Sequence, residues 1–298
     1  MLKTKLNNYI HLHFLVFIWG FTAILGALIS VDAIPLVWYR MFFAVLILFI
    51  YFLIKKKSLK TTPRGLLKFL ISGTIIALHW VAFFSAIKVA NVSIALVAMS
   101  TGALFTSLIE PLFFKRRLIF LELLFGLIVI AGLYIIFNVE SQYTLGIIYA
   151  LIASFLSALF TVLNGLYIRE FEADVISFYQ LLFGVAFISV YVFAISDFSI
   201  QDFSLKNSDI IYLLILSSIC TAYAFVVSVK IMKYLTPYTV MLTVNLEPVY
   251  GIILAVLFFG DKEKMSPQFY IGGLVIVITV IINGILKNKK SKYNNSQN

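Results

Sequence analysis

The stretch from Pro237 to Phe259 reads PYTVMLTVNLEPVYGIILAVLFF and decides how the rest of the chain can fold. It has the length and apolar character of a membrane-spanning helix, yet Asn245, Glu247 and Pro248 lie near its middle. A carboxylate at that depth is costly, so Glu247 is expected to face a polar interior instead of lipid. Pro248 removes a backbone donor and frees a carbonyl about one turn earlier. Broken backbone of this kind occurs within a membrane only where protein or a cavity surrounds it. The stretch is therefore predicted to form one wall of a polar pathway.

The composition places the whole chain in a membrane. Of its 298 residues, 62% are hydrophobic and only 12% are charged, whereas soluble domains average about 25% charged residues. Ten apolar runs are long enough to span a bilayer. They cover residues 12–31, 34–54, 66–88, 92–114, 120–138, 145–168, 175–196, 209–231, 237–259 and 268–286. The predicted fold class is an all-α membrane protein with ten transmembrane helices.

The basic residues orient these ten spans. With the N-terminus in the cytoplasm, 18 of the 23 Lys and Arg residues fall on the cytoplasmic side, four fall on the far side, and Arg40 lies within the second span. Because basic residues favour cytoplasmic loops, this split predicts a multi-pass protein of the plasma membrane, the bacterial inner membrane, with both termini in the cytoplasm. The net charge of +10 is explained by basic loops that orient helices in the lipid bilayer. Nucleic acid is therefore not an expected partner.

An internal repeat divides the chain into two halves. Residues of the third and fourth spans coincide with those of the eighth and ninth after a shift of 145: Ser72 with Ser217, Lys88 with Lys233, and Leu112–Phe114 with Leu257–Phe259. A shift of 140 places Tyr39-Arg40 on Tyr179-Gln180. The predicted repeats cover residues 1–139 and 140–298, the second ending in a short basic tail. Since each holds five spans, an odd number, the two must be inverted, and such repeats enclose a substrate site near the bilayer midplane in secondary transporters.

Several short motifs accompany the repeat and the helix count. They are Trp19-Gly20 in the first span, Arg40 in the second, His79-Trp80 in the third, Leu246-Glu247-Pro248 in the ninth and Gly272-Gly273 in the tenth. With these features the chain resembles, over essentially its whole length, the ten-helix EamA-type members of the drug/metabolite transporter superfamily. The resemblance implies export of small metabolites or amino acids through a central cavity lined by spans 1, 3, 4, 6, 8 and 9. One departure is that Lys115-Arg116 and Gly260-Asp261 stand where family members often carry Gly-Glu.

Glu247 and Arg40 are the ionisable candidates for the site. Glu247 could hold a proton or a substrate amine, so proton coupling is one prediction. Its structural alternative is a permanent bond to an arginine or to backbone amides. Arg40 is the only basic residue in the interior of a span, since Lys68, Lys88 and Lys230 stand at span ends. It could pair with Glu247 or bind a substrate carboxylate, or it could extend toward the outer interface as an anchor, and the structural role is favoured.

Further candidates for substrate binding are aromatic or polar. His79 could relay protons, although a hydrogen-bonded packing role is favoured, and Trp80 offers an aromatic wall for an organic cation. The remaining candidates are Trp19, Ser100, Thr101, Asn164, Tyr223, Asn245 and Tyr250. In the ninth span Asn245 is turned about 200° from Glu247, so one of the two is expected to line the pathway and the other to bond to a neighbouring helix. For each of the smaller polar residues taken singly, packing is the simpler account.

Motifs missing from the sequence narrow the function. It contains no P-loop, no G-x-S-x-G, no His-Glu-x-x-His and no aspartate-rich pair for magnesium and diphosphate. No cofactor or metal is therefore expected, and the prediction is a secondary transporter, not an enzyme, that exports small zwitterionic or amphipathic metabolites by alternating access. Two rival hypotheses are a lipid-modifying enzyme using His79 and Glu247, and a scaffold without a cavity. Gly126, Gly132 and Gly272-Gly273 in the fifth and tenth spans could serve a homodimer or packing within one chain.

Overall fold

A computed structural model of the chain describes residues 2–115, 117, 120–194 and 199–295. Arg116 and residues 195 and 196 of the predicted seventh span lie outside this range. Within it, all long elements are helical: α1 Leu2–Leu28, α2 Ala33–Lys55, α3 Pro63–Val89, α4 Val92–Met99, α5 Gly102–Phe114, α6 Phe120–Val139, α7 Thr144–Tyr167, α8 Ala173–Ala194, α9 Asn207–Ser217, α10 Ala224–Ile231, α11 Pro237–Val244, α12 Glu247–Phe259 and α13 Pro267–Asn295.

These helices build the ten predicted spans, so the predicted fold class is confirmed. Eight segments of the described chain are long and apolar enough to cross a membrane, while the apolar parts of α6 and α13, Leu124–Val139 and Pro267–Thr279, are shorter. The fourth span consists of α4 and α5, and the ninth of α11 and α12. The eighth consists of α9, a π-helical turn at Ser218–Tyr223, and α10.

The two broken spans show how closely the halves match. A shift of 145 residues moves α4 onto α11 and α5 onto α12, with both ends of each helix coinciding. The residues before α4 and α11 also match, because Asn91 Oδ1 accepts a hydrogen bond from a backbone N–H at 2.8 Å and Thr236 Oγ1 accepts one at 3.2 Å. Each side chain accepts a hydrogen bond from a first-turn N–H group that lacks a partner within the helix, as N-cap residues do. The repeat is therefore present in the structure down to its caps.

A proline is not required for these breaks. The ninth span is interrupted at Asn245-Leu246, next to Pro248 as predicted. The fourth span is interrupted at the matching place, Ser100-Thr101, although Ala103 stands where the ninth span has Pro248. The interruption thus belongs to the place where these two spans cross.

The halves interlock because spans of one half pack against spans of the other. The third span, α3, packs on α7 and α8, and α2 packs on α8 and α9. Gly73 in α3 permits a close approach, since a Cβ there would overlap the carbonyl oxygen of Gln180 in α8. Gly184 in α8 likewise leaves room for the end of the Met41 side chain. The glycines make this crossing tighter than any larger side chain would allow.

Helices α6 and α13 pack on each other at one side of the bundle. A Cβ at Gly132 would lie 3.0 Å from the carbonyl oxygen of Gly272, and a Cβ at Gly272 would lie 2.9 Å from that of Gly132. Gly126 faces Leu104 of α5 in the same way. These glycines serve packing within one chain, and the homodimer stays a prediction.

The end of the bundle that carries most basic residues is called the basic end. Here ion pairs connect the loops of the two halves: Lys57 with Asp174, and Lys68 with Glu170 at 2.6 Å. The hydrogen bond to Asp174 raises the pKa of Lys57. Both lysines are partly exposed, so each pair contributes little to stability.

The opposite end is held by buried carboxylates. Asp209 accepts hydrogen bonds from the backbone N and the hydroxyl of Ser30 at 2.9 and 2.6 Å. Glu263 accepts from the backbone N of Val92 and of Ser93, both at 2.9 Å, and so caps the start of α4. Each contact joins one half to the other, as the ion pairs do at the basic end.

Candidate functional site

A cavity of about 750 Å³, including its part open to solvent, lies between the two halves. Spans 1, 3, 4, 6, 8 and 9, which the resemblance implies as the lining, all contribute residues to it. The second span also contributes, through Arg40. The lining consists of Trp19, Thr22, Arg40, His79, Trp80, Phe83, Met99, Ser157, Phe160, Thr161, Asn164, Cys220, Phe225, Ser228, Met232, Val240, Met241, Val244 and Glu247. A scaffold with its centre filled by side chains would have no such space.

Six of the eleven predicted site residues line this cavity, namely Trp19, Arg40, His79, Trp80, Asn164 and Glu247. Sequence reasoning missed most of the others, although helical periodicity carries a signal for them. Ser157, Phe160 and Thr161 precede Asn164 by seven, four and three residues, and therefore share its helix face. Val240 and Val244 stand in the same relation to Glu247.

Arg40 points into the protein. Its side chain is only 2% exposed, and its Nε donates a hydrogen bond to Thr221 Oγ1 at 2.7 Å. The guanidinium carbon lies 3.9 Å from the centre of a Trp80 ring. The anchor role at the outer interface is therefore wrong. One guanidinium nitrogen, Nη1, is buried without a hydrogen-bond partner in the part of the chain that the structure describes.

The π-helical turn of the eighth span orients the partner of Arg40. Thr221 in this turn donates its hydroxyl hydrogen to the carbonyl oxygen of Leu216 at 2.7 Å. Its oxygen is then left to accept from Arg40. π-Helical turns within longer helices are frequent at functional sites. Here the turn supplies the one acceptor that positions the guanidinium.

Glu247 is the first residue of α12. The next residue, Pro248, has no N–H, and the N–H groups of Val249 and Tyr250 donate to the carbonyl oxygen of Leu246 at 3.1 and 3.4 Å. The positive end of the helix dipole favours a carboxylate there. Glu247 faces the same cavity as Arg40, but no direct ion pair joins the two among the described residues. The matching residue of the first half is Gly102, the first residue of α5. The acid therefore occurs in one half only.

His79 has a defined hydrogen-bond partner. Its Nδ1 lies 2.7 Å from the carbonyl oxygen of Ala153 in α7. Because a carbonyl oxygen only accepts, Nδ1 carries a hydrogen. The ring also packs against Phe83 and Phe160. This is the packing arrangement favoured from the sequence, although the ring also lines the cavity.

The side-chain amides of Asn164 in the sixth span and Gln180 in the seventh span form a buried pair. Gln180 Nε2 donates to Asn164 Oδ1 at 2.7 Å and to Ser72 Oγ at 2.8 Å. Gln180 is the repeat mate of Arg40, and both contact a hydroxyl on a span of the opposite half. The nitrogen of the Asn164 amide has no partner among the residues described.

Five predicted site residues do not line the cavity. Asn245 instead donates from Nδ2 to the carbonyl oxygen of Ser100, its repeat mate, at 2.7 Å. The Thr101 hydroxyl lies 2.9 Å from that of Ser154 in α7. The first bond holds the crossing of the two broken spans, and the second joins the fourth span to the sixth. They agree with the expectation that Asn245 bonds to a neighbouring helix while Glu247 faces the pathway.

The other two residues off the cavity are tyrosines. Tyr250 packs edge-on against Phe17 of α1, with ring centres 5.7 Å apart. Tyr223 is 44% exposed. Neither tyrosine is positioned to contact a molecule held between Arg40 and Glu247.

A second cavity of about 760 Å³, including its part open to solvent, lies at the basic end. Its lining includes Arg169, Lys233 and Thr236, and Met232 lines both cavities. The two cavities are therefore neighbours, with the second one at the basic end.

Two observations bear on chemistry at this site. Among the described residues, no group of three or more His, Cys, Asp and Glu side chains is placed to hold a metal ion. His79 and Glu247 both face the central cavity, so the hypothesis of a lipid-modifying enzyme has to be judged on other grounds.

Ten spans in two interlocked halves around a central cavity define a multi-pass membrane protein. The sequence profile of the EamA-like transporter family matches residues 9–138 and 144–285, which is nearly the whole chain. The protein belongs to this family, within the drug/metabolite transporter superfamily. The resemblance seen in the sequence is confirmed.

Relatives and a solved structure agree with this assignment. An uncharacterised transporter of Archaeoglobus fulgidus is 23% identical over 202 residues, which cover 67% of this chain and 69% of the relative. One of Clostridium kluyveri is 25% identical over 249 residues, covering 80% and 78%. A crystal structure of another protein matches this fold with a TM-score of 0.69 at 15% sequence identity. The match covers 95% of this chain and 98% of that protein's chain, and at this identity it shows the fold alone. These relatives favour a membrane transporter over an enzyme.

Proposed function

We propose that the protein exports small zwitterionic metabolites with an apolar side chain, foremost hydrophobic amino acids, across the plasma membrane by alternating access. The observation that carries this proposal is that Arg40 and Glu247 face one cavity without a direct ion pair between them in the described chain. Opposite charges in a low-dielectric site attract strongly. A ligand that offers a carboxylate to Arg40 and an ammonium to Glu247 satisfies both.

The rest of the cavity wall supports an apolar substrate portion. Trp19, Phe160 and Phe225 supply aromatic surface, and Met99 and Met241 supply flexible thioethers. Ligand sites commonly combine apolar walls with a few placed polar groups. Methionine side chains adapt to different apolar shapes, so several related side chains would fit.

The place of the second cavity supports the direction of transport. With both termini in the cytoplasm, the basic end faces the cytoplasm, and the second cavity lies at that end beside the central one. This arrangement suits a state that loads substrate from the cytoplasm. Glu247 would then exchange a substrate ammonium for a proton during the cycle, which couples export to the proton gradient. A homodimer through α6 and α13 is a further prediction.

The test uses purified protein in proteoliposomes loaded with labelled L-leucine, with L-aspartate and L-lysine as comparison probes. Glu247→Gln should lower leucine efflux by roughly 10- to 100-fold, since hydrogen bonds to charged groups contribute about 1.5–3 kcal/mol. It should also flatten the pH dependence of efflux. Thr243→Val is the matched control, because Thr243 lies one turn away in the same span and does not line the cavity.

The outcomes separate the parts of this proposal. Equal leucine efflux and equal pH dependence in Glu247→Gln and wild type would remove Glu247 from the mechanism. No transport of any zwitterion by wild type would refute the substrate class.

A further inference from the structure

A chain of hydrogen bonds determines which way the side-chain amide of Asn164 points, that is, where its oxygen and its nitrogen lie. Ser72 has one hydroxyl hydrogen, which it donates to the carbonyl oxygen of Lys68 at 2.8 Å. Its oxygen can therefore only accept from the Gln180 amide, 2.8 Å away. This turns the Gln180 nitrogen toward both Ser72 and Asn164.

The consequence appears at the cavity. Gln180 Nε2 also donates to Asn164 Oδ1 at 2.7 Å, so the oxygen of Asn164 is occupied. The Asn164 nitrogen carries two hydrogens and has no partner among the described residues, although the residue is fully buried and lines the cavity. A buried donor left without an acceptor is unfavourable. The cavity wall at Asn164 is therefore selective for a ligand atom that accepts hydrogen bonds.

Asn164 lies closer to the basic end than the part of α7 whose carbonyl oxygen contacts His79. That carbonyl belongs to Ala153, eleven residues before Asn164, and a helix rises roughly 16 Å over this length at 1.5 Å per residue. The next residue, Gly165, faces Pro237, which begins the ninth span at the basic end. Asn164 and Arg40 therefore line different parts of one cavity.

We infer that Asn164 forms a separate binding site at the basic mouth of the cavity for the carboxylate end of a substrate, with Gln180 as its positioning residue. The inference rests on the proposed function, because it names where the substrate binds before its carboxylate reaches Arg40. The Asn164 nitrogen can donate two hydrogen bonds and accept none. It therefore favours carboxylate or carbonyl oxygens and disfavours an ammonium group.

Transport kinetics with L-leucine test the mouth site. Asn164→Leu should raise the KM about tenfold and Gln180→Met about threefold, with kcat little changed, because the site acts on binding before the cavity is filled. L-Leucinamide, which lacks the carboxylate, should be affected less. The matched control is Ser177→Ala, a fully buried residue of α8 that bonds only within its own helix, and its KM should stay within about twofold of wild type.

The double variant Asn164→Leu/Gln180→Met separates positioning from independent packing. If Gln180 acts through Asn164, the double variant should have the KM of Asn164→Leu alone. If the two single-variant increases in KM multiply in the double variant, Gln180 does not act through Asn164. A fall in kcat with unchanged KM would overturn the mouth site.

A second measurement does not depend on any substrate. In detergent micelles, side-chain amides labelled with nitrogen-15 can be assigned by their loss in Asn164→Leu and Gln180→Met. The NH2 group of Asn164 should exchange with water about tenfold faster than that of Gln180, whose hydrogens are both bonded. Slower exchange at Asn164 would mean that the two amides point the other way and would overturn the inference. If wild type moves no leucine, the proposed function fails, and this exchange still decides the orientation.

Discussion

The two helix crossings that the repeat makes equivalent differ in charge. At the charged crossing, Arg40 of the second span contacts Thr221 of the eighth and stacks on Trp80. At the neutral crossing, Gln180 of the seventh span contacts Ser72 of the third. The repeat supplies the same crossing twice, and the side chains make one of them a site for charge.

The crossings also differ in how closely their helices approach. Gly73 lets α3 approach the backbone of α8 at the neutral crossing. Its match after a shift of 145 is Ser218, which begins the π-helical turn at the charged crossing. The neutral crossing is thus tight and regular, whereas the charged crossing contains a widened helical turn. The widened turn is what brings Thr221 to the guanidinium of Arg40.

The energy of a buried arginine explains why the charged crossing is built as it is. An arginine near the centre of a bilayer costs about 2.5–3.5 kcal/mol on insertion scales. Stacking on a desolvated tryptophan returns about 2 kcal/mol, and a hydrogen bond to a charged group returns about 1.5–3 kcal/mol. Trp80 and Thr221 can therefore offset the cost of burying Arg40.

The largest effect is expected when the charged crossing is made neutral. Arg40→Gln copies the residue of the neutral crossing and should lower kcat/KM for L-leucine by roughly 10- to 100-fold, because the carboxylate loses a charged partner. Arg40→Lys keeps the charge and should retain part of the activity, since it lacks the planar fork. Transport by Arg40→Gln within twofold of wild type would show that the difference in charge has no role in function.

The difference in packing can be tested with two matched alanine substitutions. Gly73→Ala should lower the free energy of unfolding by about 1–3 kcal/mol, because the new methyl group overlaps the backbone at Gln180. Ser218→Ala, at the equivalent place of the other half, should change it by no more than about 0.5 kcal/mol. Thermal unfolding in one detergent measures both. Equal destabilisation would contradict a tight and a widened crossing.

A smaller effect is expected at the aromatic residues that the repeat pairs. Trp80 and Phe225 are repeat mates and touch edge-on, with ring centres 6.1 Å apart. Of these two rings, it is Trp80 that lies under the guanidinium of Arg40. Trp80→Leu should therefore raise the KM for leucine about fivefold through the lost cation–π contact, and Phe225→Leu should raise it less. A larger change in Phe225→Leu would mean that general aromatic packing, not support of Arg40, decides binding.

Much of the fold follows from local sequence patterns. The apolar runs predicted ten spans because a bilayer tolerates only helices with internally bonded backbone. The shift of 145 predicted matching helices, and the matching ends of α4 and α11 agree with it. Glu247 was found because a carboxylate within an apolar run stands out in any sequence. The apolar lining residues Phe160 and Val240 resemble their lipid-facing neighbours in composition, so their role was not visible.

The spans, their inverted pairing and the presence of one acid and one base at membrane depth follow from composition, spacing and charge along the chain. Three other features appear once the helices are packed together: Arg40 turns inward onto Trp80, Asn245 bonds to Ser100 and not to the cavity, and Gln180 directs the amide of Asn164. Each of these depends on partners more than a dozen residues away in the chain. The direction of a buried polar side chain is set by the one acceptor or donor within reach, and folding alone brings that partner into place.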